Sequence, residues 1–197
     1  MDPARAGRST LALLLAVLTL CACSSSVPPA DIRQNPHPVK RYTLTVTVED
    51  APGPFESIGG TVDYQVTNSG CVPLQPVSGA RLAPHRQMPI RLQGIGDNTY
   101  EGSFFADLML DADYYQMGTC HWALVGVGAQ LKTRSTGFSS AIWAKDIAAG
   151  KAAITYFPKV SYRDPTGGMS GQPLTTYVSE HPDAFFHVAL ATKEAAR

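Results

Sequence analysis

The residues best suited to chemistry lie in one stretch, Leu108–Gly118, which runs into Cys120-His121-Trp122. Asp111 and Asp113 stand at the opening spacing of a calcium loop, since hard cations prefer carboxylate oxygens. An EF-hand would place a third ligand at position 115 and glycine one residue later. Tyr115 and Gln116 occupy those places, so no metal site is expected. Tyr114, Tyr115 and Met117 offer a different chemistry, protein recognition, because tyrosine is enriched at interface hot spots. The plainer use of the stretch is to fold over one end of a sheet, where a tyrosine ring supplies apolar bulk and a polar tip. Asp111, Asp113, Tyr114, Tyr115 and Met117 are therefore the candidate partner-binding residues, set against that structural role.

Covalent catalysis finds little support. Gly168-Met169-Ser170-Gly171 lacks the final spacing of a Gly-x-Ser-x-Gly elbow. No serine has a lysine three residues on, and neither a His-Glu-x-x-His pair nor a phosphate-binding Gly-x-x-x-x-Gly-Lys occurs. The histidines are scattered, with His121 and His187 on predicted strands and His181 beside Pro182. A Ser/His/Asp group drawn from distant segments leaves no trace at this level, because triads need no sequence proximity. The expectation is a protein that is not an enzyme and holds no cofactor.

These side chains need an address as well as a scaffold. Arg5 and Arg8 precede the apolar run Leu11–Leu20, which is too short for the roughly 20 residues of a membrane-crossing helix. The run reads as the core of a secretory signal. The segment Leu20-Cys21-Ala22-Cys23 resembles the bacterial lipobox, with a small residue directly before the modified cysteine. Residues 1–22 are then a cleaved signal, and Cys23 is the lipid attachment site of a bacterial lipoprotein, its palmitate-type acyl chains holding it to a membrane. Cys21 in the lipobox is a less usual residue. By resemblance to lipoprotein sorting, Ser24 after the anchor implies the outer membrane, facing the periplasm. Ser24-Ser25-Ser26, Pro28-Pro29 and Pro36-His37-Pro38 make residues 23–39 a tether, since such sequences form neither helix nor central strand.

With the signal set aside, Cys71 and Cys120 remain as a pair in an oxidising compartment and predict one disulfide. Zinc is disfavoured, because no second Cys or His stands at ligand spacing from Cys71.

Residues 40–197 read as a single domain. Charged residues make up 16% of the chain and apolar residues 44%, enough for a sizeable core. Of the 16 basic and 16 acidic residues, the signal removes Arg5, Arg8 and Asp2, so the mature chain is nearly neutral and nucleic acid is not an expected partner. Apolar and Thr residues alternate over Tyr42–Val48, and Val62, Tyr64 and Val66 repeat the period of two. A Pro/Gly-rich connection spans Asn68–His85. A hairpin is predicted from Met88–Gln93 through a turn at Gly94–Asn98 to Thr99–Ala106. His121–Leu131 is a longer strand in which Gly126 and Gly128 predict a bulge or a close backbone approach. Ala144–Ala149 predicts one helical turn stopped by Gly150. Ala152–Phe157 and Phe185–Ala191 are late strands flanking a glycine-rich loop at Asp164–Pro173.

Seven or eight short strands predict an all-β fold, an antiparallel β-sandwich that is immunoglobulin-like in the broad sense. The tryptophan that an immunoglobulin domain places between its cysteines is missing, because Trp122 and Trp143 both follow Cys120. The expected function is a non-catalytic protein-binding module, in its narrower form an inhibitor or immunity-type protein against an envelope-active toxin. Its partners would be the membrane, through the anchor, and a protein in the periplasm. Two other classes stay open, an assembly accessory of an envelope or secretion complex and a hydrolase with an unrecognised site.

Overall fold

The computed structural model describes residues 31–164 and 168–195; Cys23 and the predicted export signal lie outside them. Ten strands form two five-stranded sheets. In chain order they are β1 (Arg41–Glu49), β2 (Ser57–Val66), β3 (His85–Ile90), β4 (Gln93–Gly96), β5 (Thr99–Phe105), β6 (Trp122–Lys132), β7 (Gly137–Trp143), β8 (Ala153–Pro158), β9 (Met169–Ser170) and β10 (Phe185–Glu194). The first sheet has the order β4-β5-β1-β10-β8 and the second β3-β2-β6-β7-β9. Two five-residue helices, α1 (Ala144–Ala148) and α2 (Thr176–Glu180), sit at strand ends. The sandwich is as expected, but ten strands lie among the described residues rather than seven or eight. One pairing, β7 with β9, is parallel.

Period-two patterning explains the core. Leu44, Val46 and Val48 of β1 and Val188 and Leu190 of β10 face Val62 and Tyr64 of β2 and Val127, Ala129 and Leu131 of β6, all buried. Phe138, Phe157 and Phe186 pack edge-on or stacked, with ring centroids 5.1–5.3 Å apart. The phase of β6 slips once. Asp63 pairs with Gly126 but Tyr64 with Leu124, so Val125 is an extra residue in the ladder. That bulge lets Trp122 and Leu124 lean inward on one side of it and Val127, Ala129 and Leu131 on the other. β7 escapes sequence patterning because Ser140 stands inward between Phe138 and Ile142. Its buried hydroxyl is satisfied by the Thr155 hydroxyl of the facing sheet at 2.7 Å.

The predicted hairpin is corrected. Asp97 and Asn98 make a two-residue turn with positive φ at both positions, the primed geometry that matches strand twist. This turn joins β4 to β5. Met88 to Ile90 instead belong to β3, which pairs with β2 in the other sheet. Between them the chain crosses from sheet to sheet at Arg91-Leu92. The crossing presses on Gly102, where a methyl group would lie 2.5 Å from the Arg91 carbonyl oxygen and 2.7 Å from Ile90 Cγ2.

Two loop predictions are also corrected. Within Asp164–Pro173, Met169-Ser170 form β9, and Gln172 exchanges both backbone hydrogen bonds with Tyr156. Residues 165–167 lie outside the described residues. The expected tether is docked over its last third. The Leu110 amide donates to the Arg33 carbonyl and the Asn35 amide to the Leu108 carbonyl, while the Val39 and Lys40 amides donate to the Asp107 carboxylate. The two sheets are bolted together at this end by Tyr64 of β2, whose hydroxyl donates to the Phe105 carbonyl of β5.

The disulfide joins Cys71 to Cys120, with Cα atoms 5.3 Å apart. It lies beyond the ends of β2 and β6, in a small second cluster with Val66 and Val72, rather than between the sheets as in an immunoglobulin domain. Closing a loop of 49 residues stabilises the fold by about 4 kcal/mol in the chain-entropy account.

Two measurements test this architecture. Gly102→Ala places its methyl against backbone that cannot turn away, and overpacking of this kind costs about 1–3 kcal/mol. The melting temperature of the variant should fall by roughly 3–10 °C, and an unchanged value would contradict the crossing. Burial and the neighbouring Asp107 carboxylate both raise the Tyr64 phenol above its ordinary range. A folded value above the unfolded one means that this contribution is complete below the unfolded pKa near 10 and is lost as pH rises beyond it. In melting curves taken at rising alkaline pH, Tyr64→Phe should therefore lose stability less steeply than the parent.

Candidate functional site

The stretch singled out by sequence closes the end of the sandwich where β2 ends and β6 begins. Ala112 pairs with Cys120, and the chain turns back through Gln116 and Gly118, both at positive φ. Asp111 is a clamp: one carboxylate oxygen accepts the Trp122 amide and the other contacts His121 Nδ1, each at 2.8 Å. Asp113 accepts the Met117 amide at 3.0 Å and so closes its own turn. The Tyr114 hydroxyl donates to the Leu110 carbonyl. Both Tyr114 and Tyr115 are half-buried against the disulfide cluster, whereas Asp111, Asp113 and Met117 are exposed. The five residues share one loop, but their polar groups mostly serve that loop. Among the described residues no group of three or more His, Cys, Asp or Glu gathers to hold a metal ion.

The histidines pair with carboxylates at separate places: His85 with Asp63 at 3.2 Å, His121 with Asp111 at 2.8 Å and His187 with Glu49 at 3.3 Å. His181 instead contacts the Tyr177 carbonyl. Ser139 is an exposed serine on the outer face that His85 also occupies, yet the register separates them. Gln65 pairs with His85, whereas Ser139 pairs with Gln130 and thus lies level with Gly59. Three strand spacings and six residues along the strand put roughly 20 Å or more between them.

A groove of about 330 Å³ lies on the outer face of the second sheet. Register builds it in rows: Asp63 beside Gly126 beside Trp143, then Thr61 beside Gly128 beside Ala141. Glycine at the middle of both rows removes the side chains that would fill the face. Gly126 is required by the bulge as well, since a methyl there would meet the Ile142 carbonyl oxygen at 2.6 Å. Trp143 forms one wall and is 56% exposed. The opposite end is polar, where His85 Nε2 and Gln87 Nε2 both converge on Asp63 Oδ1. An apolar floor, an indole wall and a carboxylate rim are suited to receiving a protruding apolar or aromatic side chain.

Sequence reading misses this groove although its signals are present. The pattern Gly126-Val127-Gly128 in β6 points both glycines outward, and Trp143 follows the inward Ile142 by one residue. What the sequence lacks is the neighbourhood, because the rows join residues about 15 to 80 positions apart. A second hollow, about 570 Å³, lies beside the docked N-terminal segment. It is lined by Lys40, Asp107, Asp111 and Trp122, whose carboxylates are already engaged with backbone amides.

Asp111→Ala would free the Trp122 amide and the His121 ring together. Amide hydrogen exchange at Trp122 should accelerate by about tenfold or more, the equivalent of 1.4 kcal/mol of local protection. Exchange in the β1–β10 ladder should stay as it is, and equal acceleration there would make Asp111 a global rather than a local support.

No family model, no curated protein and no solved structure matches this chain significantly, so its candidate site stands on its own residues and geometry.

Proposed function

We propose that this chain is an outer-membrane lipoprotein, anchored through Cys23 and facing the periplasm, that works as a non-catalytic protein-binding module. In its narrower form it neutralises an envelope-active toxin or hydrolase, as an inhibitor or immunity-type protein does. The observation that carries the reading is Trp143, exposed at the wall of a glycine-floored groove. A folded domain rarely leaves a tryptophan so open beside an apolar hollow unless something covers it, and tryptophan is the residue most enriched at interface hot spots.

The groove has room for one protruding partner side chain. It is shallow and apolar, with Asp63 fixed at the rim by His85 and Gln87 to orient a donor group on the partner. The rim alone would add little affinity; its use is to select orientation.

The experiment joins anchor and groove. Mass spectrometry of the envelope protein should show cleavage before Cys23 and acyl chains on it. Immobilised mature protein should retain one defined protein from envelope extract, and Trp143→Ala should reduce its affinity by about tenfold or more, as loss of a hot spot worth at least about 2 kcal/mol requires. Retention unaffected by Trp143→Ala, or no retained protein together with a harmless deletion in mixed-strain competition, would overturn the proposal.

A further inference from the structure

The loop between the disulfide and β3 is built as a finger. Leu74 and Arg81 pair across it, the Gln75 amide donates to the Ala80 carbonyl, and the Gly79 amide donates back to the Gln75 carbonyl. Its base is held. Cys71 is tied to Cys120, the Asn68 side chain donates to the Thr119 carbonyl at 2.7 Å, and the Arg81 guanidinium donates to the Val72 carbonyl. Val77 at the tip is fully exposed, and Leu74 and Leu82 on its flanks are more than half exposed. A braced loop that presents three aliphatic side chains to solvent needs an apolar counterpart.

Charge narrows the choice of counterpart. No acidic residue stands between Asp63 and Asp97, while Arg81, Arg86 and Arg91 do. Of the acids at this end of the sandwich, Asp107, Asp111 and Asp113 accept backbone amides and Glu194 accepts the Tyr42 hydroxyl. The finger is therefore apolar at its tip and carries Arg81 and no acid, which suits a bilayer surface with phosphate headgroups above hydrocarbon.

Position decides it. Arg33 is paired to Leu110, in the loop that Asp111 ties to the start of β6, so the N-terminal segment leaves from the same end of the sandwich as the finger. Eight peptide steps from Cys23 to Asp31 reach at most about 28 Å. An anchor at Cys23 would thus hold this end, and not the opposite one, close to the membrane. We propose that the Leu74–Leu82 finger is a second membrane contact, dipping Val77 into the phospholipid leaflet that holds the anchor and fixing the orientation of the domain. Trp143 and its groove, on a side face of the sandwich, would then be held at a set height and orientation relative to the membrane. The inference rests on the lipoprotein reading of Cys23.

The test uses the full lipidated protein, reconstituted through its anchor into vesicles of phosphatidylethanolamine with a minority of phosphatidylglycerol. Val77→Trp adds an indole at the tip, and Val160→Trp adds one at an exposed position near the opposite end, where Tyr162 bonds to Pro54. Lipids brominated on their acyl chains should quench the emission added at position 77 by roughly half or more, because apolar groups at interfaces sit about 5–10 Å into the headgroup boundary. Emission added at position 160 should be almost untouched. Protein retained on vesicles with equal quenching at both positions would overturn the finger while leaving the anchor intact. Failure of the vesicles to retain the protein, with no acyl mass on Cys23, would remove the anchor and the finger with it. A blue shift at position 77 that follows protein concentration rather than lipid would assign the finger to a second copy of the chain and overturn the proposal.

Discussion

Close approach of backbone to backbone is the constraint on which this sandwich depends. Where the chain passes from β3 to β4, it spends only Arg91 and Leu92 on changing sheets, and it can do so because Gly102 yields the space a side chain would occupy. The same device operates at the β6 bulge, where Gly126 lies against the Ile142 carbonyl. Interiors packed at crystal-like density cannot absorb even one extra carbon at such points. The crossing fixes how the two sheets are stacked, and the bulge fixes how β6 presents its outer face.

At one end of the stack a different chemistry takes over. Three aspartates, at positions 107, 111 and 113, accept backbone amides of the N-terminal segment, of β6 and of their own loop. The disulfide and Tyr64 add covalent and inter-sheet ties close by. Charge-assisted bonds to backbone amides are stronger than neutral ones, and they replace regular strand pairing where Pro- and Gly-rich segments cannot supply it. This end is therefore irregular in outline yet well supported, as a finger carrying exposed aliphatic residues must be. The polar side chains that first suggest a ligand site are the ones that hold it together.

The functional picture follows from that division of labour. Side chains of the disulfide end are spent on structure, apart from the finger tip and Met117, whereas the outer face of β2, β6 and β7 leaves an indole and a glycine floor uncommitted. If anchored as proposed, a domain with its finger on the membrane and its groove on a side face would have the form expected of a tethered binder. The proposed anchor would confine it to two dimensions and raise its effective concentration near envelope partners, without any new contact.

Local features were legible in the sequence because they depend on neighbours along the chain. Alternation set β1 and β2, Asp97-Asn98 set a turn, Gly150 stopped a short helix, and Cys71 and Cys120, once the predicted export signal was set aside, set the disulfide. Asp111 was visible as a residue of interest, but its task as a clamp on Trp122 was not. Only the tertiary structure decided which strands pair, that Met88 and Thr99 belong to different sheets, that buried Ser140 finds Thr155, and that Gly126, Gly128, Asp63 and Trp143 share one face. The physical reason is range. Turn and pleat preferences act over a few residues, whereas a sheet face is made of strands whose partners are chosen by burial of the whole core.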